Sequence, residues 1–163
     1  MATDLLERPG GGGRANDTEE QQFVTLVLGD QLCGISVFSV RDVLGEQVIT
    51  RVPLAPREVA GNLNVRGRIL TAIDLRLRLG LPPAASGARR MSVVVEEAGE
   101  LYALLVDQVA EVTPLKTGDL QRNPPTLPSP WAEFSSGIYR LEGRLMVVLD
   151  VGRLLALSDA GGH

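Results

Sequence analysis

Apolar residues along this chain fall into short runs broken by glycine, proline and charged pairs. Phe23-Val24-Thr25-Leu26-Val27-Leu28 is followed by Gly29-Asp30-Gln31, and a second run extends from Leu32 to Val37. Two apolar runs around such a break predict a β-hairpin. Val37, Val40 and Val43 then recur at a spacing of three. That spacing fits a helical turn or a kinked strand with one apolar edge, and so short a stretch does not separate them. Val48–Val52 predicts another strand, stopped by Pro53. Pro53 and Pro56 cannot donate to a ladder, so Pro53–Glu58 reads as a connection. Next comes Gly61 to Leu75, in which the polar tip Asn64-Val65-Arg66-Gly67 feeds an apolar strand, Ile69–Ile73. Asp74 is placed to cap a short helix, Leu75–Leu79, ended by Gly80 and Pro82.

After a linker, Pro82–Ala88, the layout begins again. Val93-Val94-Val95 repeats Val24–Leu26 at an offset of 69, and Leu101–Val112 overlays Leu32–Val43 at the same offset. Gly137–Val151 repeats the frame Gly-x5-Gly-Arg-(apolar)-Asp of Gly61–Leu75 at an offset of 76, with seven extra residues falling in Asn123–Glu133. Asp150 thus repeats Asp74 as the cap of a last helix, Val151–Leu157. Asn64 and Arg66 are replaced by Arg140 and Glu142 in the second copy. The chain therefore reads as two homologous all-β halves, about 21–81 and 89–157, within one domain spanning 21–158. Many short strands between turn signals suggest sandwiches or small barrels. Halves of about 60–70 residues are marginal alone. They are expected to pack together and leave a groove, a common kind of binding site.

Composition narrows the function. Of 163 residues, 44% are apolar but only 4% aromatic, so the core must be aliphatic. A net charge of −4 offers no basic footprint for nucleic acid. No apolar run approaches the roughly 18 residues that span a bilayer. Cys33 is the only cysteine, which excludes an internal disulfide and favours a reducing compartment. Residues 1–20, with Asp4, Glu7 and Gly10–Gly13, read as a disordered tail without signal-peptide character, and 159–163 as a second tail. A cytoplasmic location is expected.

The inventory for catalysis is poor. The one histidine is His163, and Cys33 lies in an apolar run with no histidine partner. No phosphate-binding glycine loop is present. The best-placed carboxylates, Asp74 and Asp150, are explained as helix caps. Glu96-Glu97 reads as a solvated turn and Trp131 as a loop anchor. No catalytic residue, metal site or cofactor is expected.

One ordered set of motifs goes further: Arg51-Val52-Pro53 with Pro56, Val59-Ala60-Gly61, Asn64-Val65-Arg66-Gly67, Ile73-Asp74-Leu75-Arg76, Val106-Asp107-Gln108-Val109, Gly137, and Gly143-Arg144 through Leu149-Asp150. With these, Phe23–Leu157 resembles CheW, the coupling-protein family of bacterial chemotaxis. Asn62, where the family usually has an apolar residue, and Thr71, where proline is frequent, depart from the pattern. With neither the receiver domain of CheV nor the kinase domain of CheA recognisable in these 163 residues, a stand-alone coupler is expected.

The resemblance implies two five-stranded β-barrels packed on a shared apolar core, with short helices after Asp74 and Asp150. It implies a non-catalytic adaptor between the regulatory domain of the histidine kinase CheA and the cytoplasmic tips of methyl-accepting chemoreceptors. Other CheW-like domains in array rings would be further partners, with recruitment to membrane-associated arrays but no insertion into the bilayer. Carried over by position, Val24, Val37, Val40, Val43, Val109 and Met91 line the receptor groove. Asp42 and Arg66 match a charged pair that matters for kinase coupling in the family and are expected to form a salt bridge, and Gly61, Asn64 and Gly67 are expected to make the signature turn. Plainer readings stand beside these: Val24 and Val37 as core, the glycines as turn formers, Asn64 bonding its own turn. A coupler of another chemosensory pathway, such as pilus motility, shares the same residues. A small-barrel nucleic-acid module is the reading that charge and aromatic content disfavour.

Overall fold

In a computed structural model, which describes residues 19–156, the first two apolar runs pair as β1 (Glu20–Leu28) and β2 (Gln31–Ser36). The chain then leaves this hairpin through a 3-10 turn, Val37–Ser39, and β3 (Val40–Leu44) joins a different sheet. That sheet has the order β3, β6 (Met91–Glu97), β7 (Glu100–Val106), β5 (Arg68–Asp74), β4 (Val59–Val65). The sheet holding β1 has the order β8 (Gln108–Lys116), β1, β2, β10 (Arg144–Leu149), β9 (Ser135–Leu141). Each half of the sequence thus lends one hairpin to the sheet made by the other half. The loans are sealed by parallel pairs, β2 with β10 and β5 with β7.

This exchange explains why the central strands are apolar on both faces. Leu26, Leu28, Cys33 and Ile35 of one sheet meet Ile73, Val93, Val95, Leu104 and Val106 of the other in a shared central core. On the far face of the second sheet, Leu63, Leu70, Ala72, Val94, Ala103 and Leu105 form a smaller cluster. Phe23, Leu32, Tyr139, Met146 and Val148 do the same for the first. A sheet buries both faces with a single partner only if it also rolls on itself. The roll is visible where Arg66, beyond the end of edge strand β4, reaches Asp42 on the opposite edge strand β3. The fold is therefore two packed, rolled five-stranded sheets, and among the described residues no ladder joins β3 to β4.

Both caps form as the repeat predicts. Asp74 accepts from Leu77 N (3.4 Å) at the head of α1 (Leu75–Arg78), once the 129–134 helix is counted as α2 (Ser129–Phe134). Asp150 accepts from Arg153 N (3.1 Å) at the head of α3 (Val151–Leu154).

Two local expectations need correction. Val48–Val52 is not a strand: only Thr50 pairs, as an isolated bridge to Asn62. Val48 is 88% exposed, while Ile49 packs against the Leu63 and Leu70 cluster, so the run points one residue inward without joining a ladder. Trp131 does not sit on a loop, because α2 carries it and Phe134 into the central core. Trp131 is an anchor, but on a helix. The expected C-terminal tail and all but the last two residues of the N-terminal one lie outside the described residues.

Candidate partner-binding surfaces

The spacing of three in Val37, Val40 and Val43 has a structural cause. Along β3, Val40 pairs with Val95, Asp42 with Val94 and Val43 with Val93, so one extra residue bulges between Val40 and Asp42. The bulge puts Val40 and Val43 on the face of Val95 and Val93, toward the central core, while Asp42 turns to the opposite face. The same device recurs in the other sheet. Val112 pairs with Val24 and Val109 with Leu26 across a second register shift. Both bulged strands are sheet edges, so the two sheets present matching apolar margins along their seam.

The expected groove residues divide accordingly. Val40, Met91 and Val109 are half-buried and pack against the central core from the edge. Met91 and Val109 touch across the seam, with Val109 N donating to Met91 Sδ at 3.3 Å. Val37 is half-buried in the 3-10 turn, and Val43 is 39% exposed. Val24 is different: beside Val112 of β8 in the ladder, it is only 4% exposed and offers almost no surface to a partner. Sequence reading missed Val112, which is 51% exposed. The offset of 69 from Val43 was the signal that could have found it.

A second surface forms at the β4–β5 tip. The two-residue turn Arg66-Gly67 has φ of +54° and +85°, the left-handed pair of a type I′ hairpin. Asn64 Oδ1 accepts from Gly67 N (2.9 Å), so Asn64 serves its own turn. Arg66 NH1 lies 3.2 Å from Asp42 Oδ2, and its side chain is 78% exposed. An exposed pair of this kind contributes about 0–1 kcal/mol, while a non-glycine residue in the left-handed region costs about 1–2 kcal/mol. Local stability therefore gives no reason for an arginine here.

Gly61 is not part of that turn. It lies in β4 at a register shift, with φ of +147°, and a Cβ there would strike the Thr50 carbonyl. Gly137, its counterpart, has φ of +152° and faces the Gln121 carbonyl in the same way.

On the outward face of β4–β5, Asn62 stands directly opposite Thr71 and Asn64 opposite Ile69. The two departures from the family pattern are thus cross-strand neighbours, a single paired change. With Val48 and Ile69, the asparagines line an open cleft of about 680 Å³.

A charge cluster ties the sheets together where β7 passes into β8. Arg76 Nε and NH2 donate to the two oxygens of Asp107, both at 2.8 Å, and Gly29 N donates to Asp107 Oδ2 at 2.8 Å. Arg90 NH2 stands 2.7 Å from Asp74 Oδ1 as an ion pair without an aligned hydrogen bond. The hydrogen bonds from Arg76, ahead of that from Gly29 N, hold the Asp107 carboxyl below the usual carboxylate range, although partial burial opposes them.

A carboxyl that titrates lower when folded stabilises above the unfolded pKa of about 3.9 and loses that contribution as pH falls through its folded value. Asp107→Asn is therefore expected to lower stability at neutral pH and to flatten its loss in acid. Urea melts at neutral pH and near pH 3 measure both; an acid loss as steep as in the wild type would refute the assignment.

Little here suits covalent chemistry. Burial pushes the Cys33 thiol far up, so it stays protonated. Among the described residues no cluster of three or more His, Cys, Asp or Glu side chains could hold a metal ion. No helix among them is long and apolar enough to cross a membrane.

Comparison with known proteins places this architecture. The family model described as the CheW-like domain matches residues 22–159. The chain belongs to the CheW family. Chemotaxis protein CheW of Helicobacter pylori is 30% identical over 156 residues, covering 93% of this chain and 94% of its own. A probable chemotaxis protein CheW of Rhizobium etli is 27% identical over 141 residues, covering 86% and 91%. Among solved structures, the scaffolding protein TtCheW of Thermoanaerobacter tengcongensis superposes with a TM-score of 0.76 at 27% identity, covering 85% of this chain and 94% of its own. This CheW-family chain therefore has the two-sheet fold of a chemotaxis scaffold.

Proposed function

We propose that this CheW-family chain is a non-catalytic cytoplasmic adaptor that couples chemoreceptor tips to the histidine kinase CheA. The observation that carries the reading is the presence of two chemically distinct surfaces on one rigid frame. One is the apolar seam of Val37, Val40, Val43, Met91 and Val109, shaped to take the apolar face of a helical hairpin. The other is the charged tip of Asp42 and Arg66, whose geometry local stability does not explain. A charged tip of this kind contributes orientation and partner choice more than raw affinity. The kinase's regulatory domain is assigned to it, and the receptor tip to the seam.

The test is direct binding of the wild-type protein to a CheA regulatory domain and to a receptor-tip helical-hairpin fragment, followed by kinase activation in reconstituted arrays. Arg66→Ala is expected to change folding stability by no more than about 1 kcal/mol while impairing kinase activation. A collapse of its melting temperature would make Arg66 a structural residue. Wild-type protein that bound neither partner would overturn the adaptor reading.

A further inference from the structure

Val109 and Met91 face the groove from opposite sheets, and each follows closely on a member of the charge cluster. Asp107 precedes Val109 by two residues at the point where the chain passes between sheets, and Arg90 is the neighbour of Met91. Asp107 is held on three sides: its N donates to Val27 O (3.2 Å), Gly29 N donates to its carboxylate, and Arg76 grips it with two hydrogen bonds. Arg76 NH1 also donates to Pro82 O (2.9 Å), fixing the start of the linker that leads to Arg90. Arg90 in turn pairs with Asp74, the cap of the helix that carries Arg76.

The other passage between sheets is built differently. By the offset of 69, the counterpart of Asp107 is Phe38, which is 80% exposed in the 3-10 turn. Ser36 caps that turn, and Arg41 NH1 donates to Phe38 O. Neither bond is a charge pair between sheets. One margin of the groove is therefore braced by charge at the crossing between sheets, whereas the ion pairs at the other, Arg41–Glu96 and Arg66–Asp42, lie within a single sheet.

We propose that the pairs Arg76–Asp107 and Arg90–Asp74 are a positioning clamp that sets the Met91–Val109 margin at the spacing a receptor tip requires. A partly buried ion pair is a poor device for stability alone, since apolar residues of similar volume serve as well. Its strength is geometry: a bidentate guanidinium–carboxylate pair fixes direction as well as distance. The inference rests on the adaptor reading for its partner, but the clamp itself is a property of the free protein.

Arg76→Lys keeps the charge and removes the fork, and Asp107→Asn keeps the shape and removes the charge. Both are compared with Arg78→Lys, a change in an arginine that braces α1 against the Leu154 and Arg153 carbonyls away from the groove. The readouts are affinity for the receptor-tip fragment, affinity for the CheA regulatory domain, and the Met91 methyl resonance of the free protein. Both clamp variants are expected to weaken receptor binding about tenfold, with kinase-domain binding within about twofold of wild type. The Met91 methyl signal should move in both and stay in place in Arg78→Lys. An unmoved Met91 signal, or equal losses toward both partners, would reduce the cluster to a structural brace. If the wild type bound no receptor fragment the adaptor reading would fail, and the methyl signal would still decide the clamp.

Discussion

Gly61→Ala is expected to lower folding stability by about 3 kcal/mol or more, the largest loss foreseen for removing no interaction at all. Its φ of +147° is a region that side chains rarely adopt, and the space a Cβ needs is already filled by backbone. The Thr50 carbonyl carbon would lie 2.7 Å away and Arg51 Cα 3.0 Å. Backbone cannot swing aside as a side-chain tip can. The Thr50–Asn62 bridge, with both hydrogen bonds at 2.8 Å, would have to part. Gly67→Ala is the control. It shares a positive φ but has open space around the position, so only the strain of about 1–2 kcal/mol applies. Urea melts of the two variants measure the contrast, and equal losses would refute the steric account.

Val43→Asp is expected to weaken receptor-fragment binding about 100-fold, roughly 2.7 kcal/mol, while lowering stability by under about 1 kcal/mol. The separation of the two effects follows from position. Val43 shares the inward face of β3 with Val40, yet it lies far enough out to be 39% exposed in the free protein. A carboxylate there stays hydrated until a helix covers it, and then it must be desolvated without a partner. Val40→Asp is a less clean probe, because Val40 also packs against the central core and the charge would unfold part of what it tests. Titration calorimetry with the receptor-tip fragment decides the matter. Wild-type affinity in a folded Val43→Asp protein would remove β3 from the groove.

How far the sequence carried depends on the distance over which each signal acts. The hairpins, both aspartate caps and the internal repeat were legible, because turn chemistry, capping and a fixed offset are local or self-comparing signals. The Arg66-Gly67 turn and the Asn64 side-chain bond to it were legible for the same reason. The exchange of hairpins was not, since nothing in the apolar runs Phe23–Leu28 and Leu32–Val37 says that Val148, rather than a strand of the first half, lies beside Gly34. Val24 was placed in the groove by family position alone, and the plainer reading from its strand, core, is the one its 4% exposure fits. Gly61 looked like a turn former because its reason for being glycine, the Thr50 backbone, sits in a segment that hydropathy alone reads as a strand. The bulge in β3 was half visible: the spacing of three was noticed, but a single inserted residue leaves no compositional mark.

The borrowed hairpins set a condition on how the chain can be made. β2 stands in the middle of its sheet, yet its neighbour on one side is β10, the last strand in the described chain. Until that strand leaves the ribosome, the β1–β2 hairpin has an open, apolar flank and no local partner for it. Such distant pairings slow folding and leave nascent chains sticky in the interval. For this chain that interval spans more than a hundred residues of synthesis, from Ser36 to Arg144, during which the hairpin's apolar flank has no partner of its own.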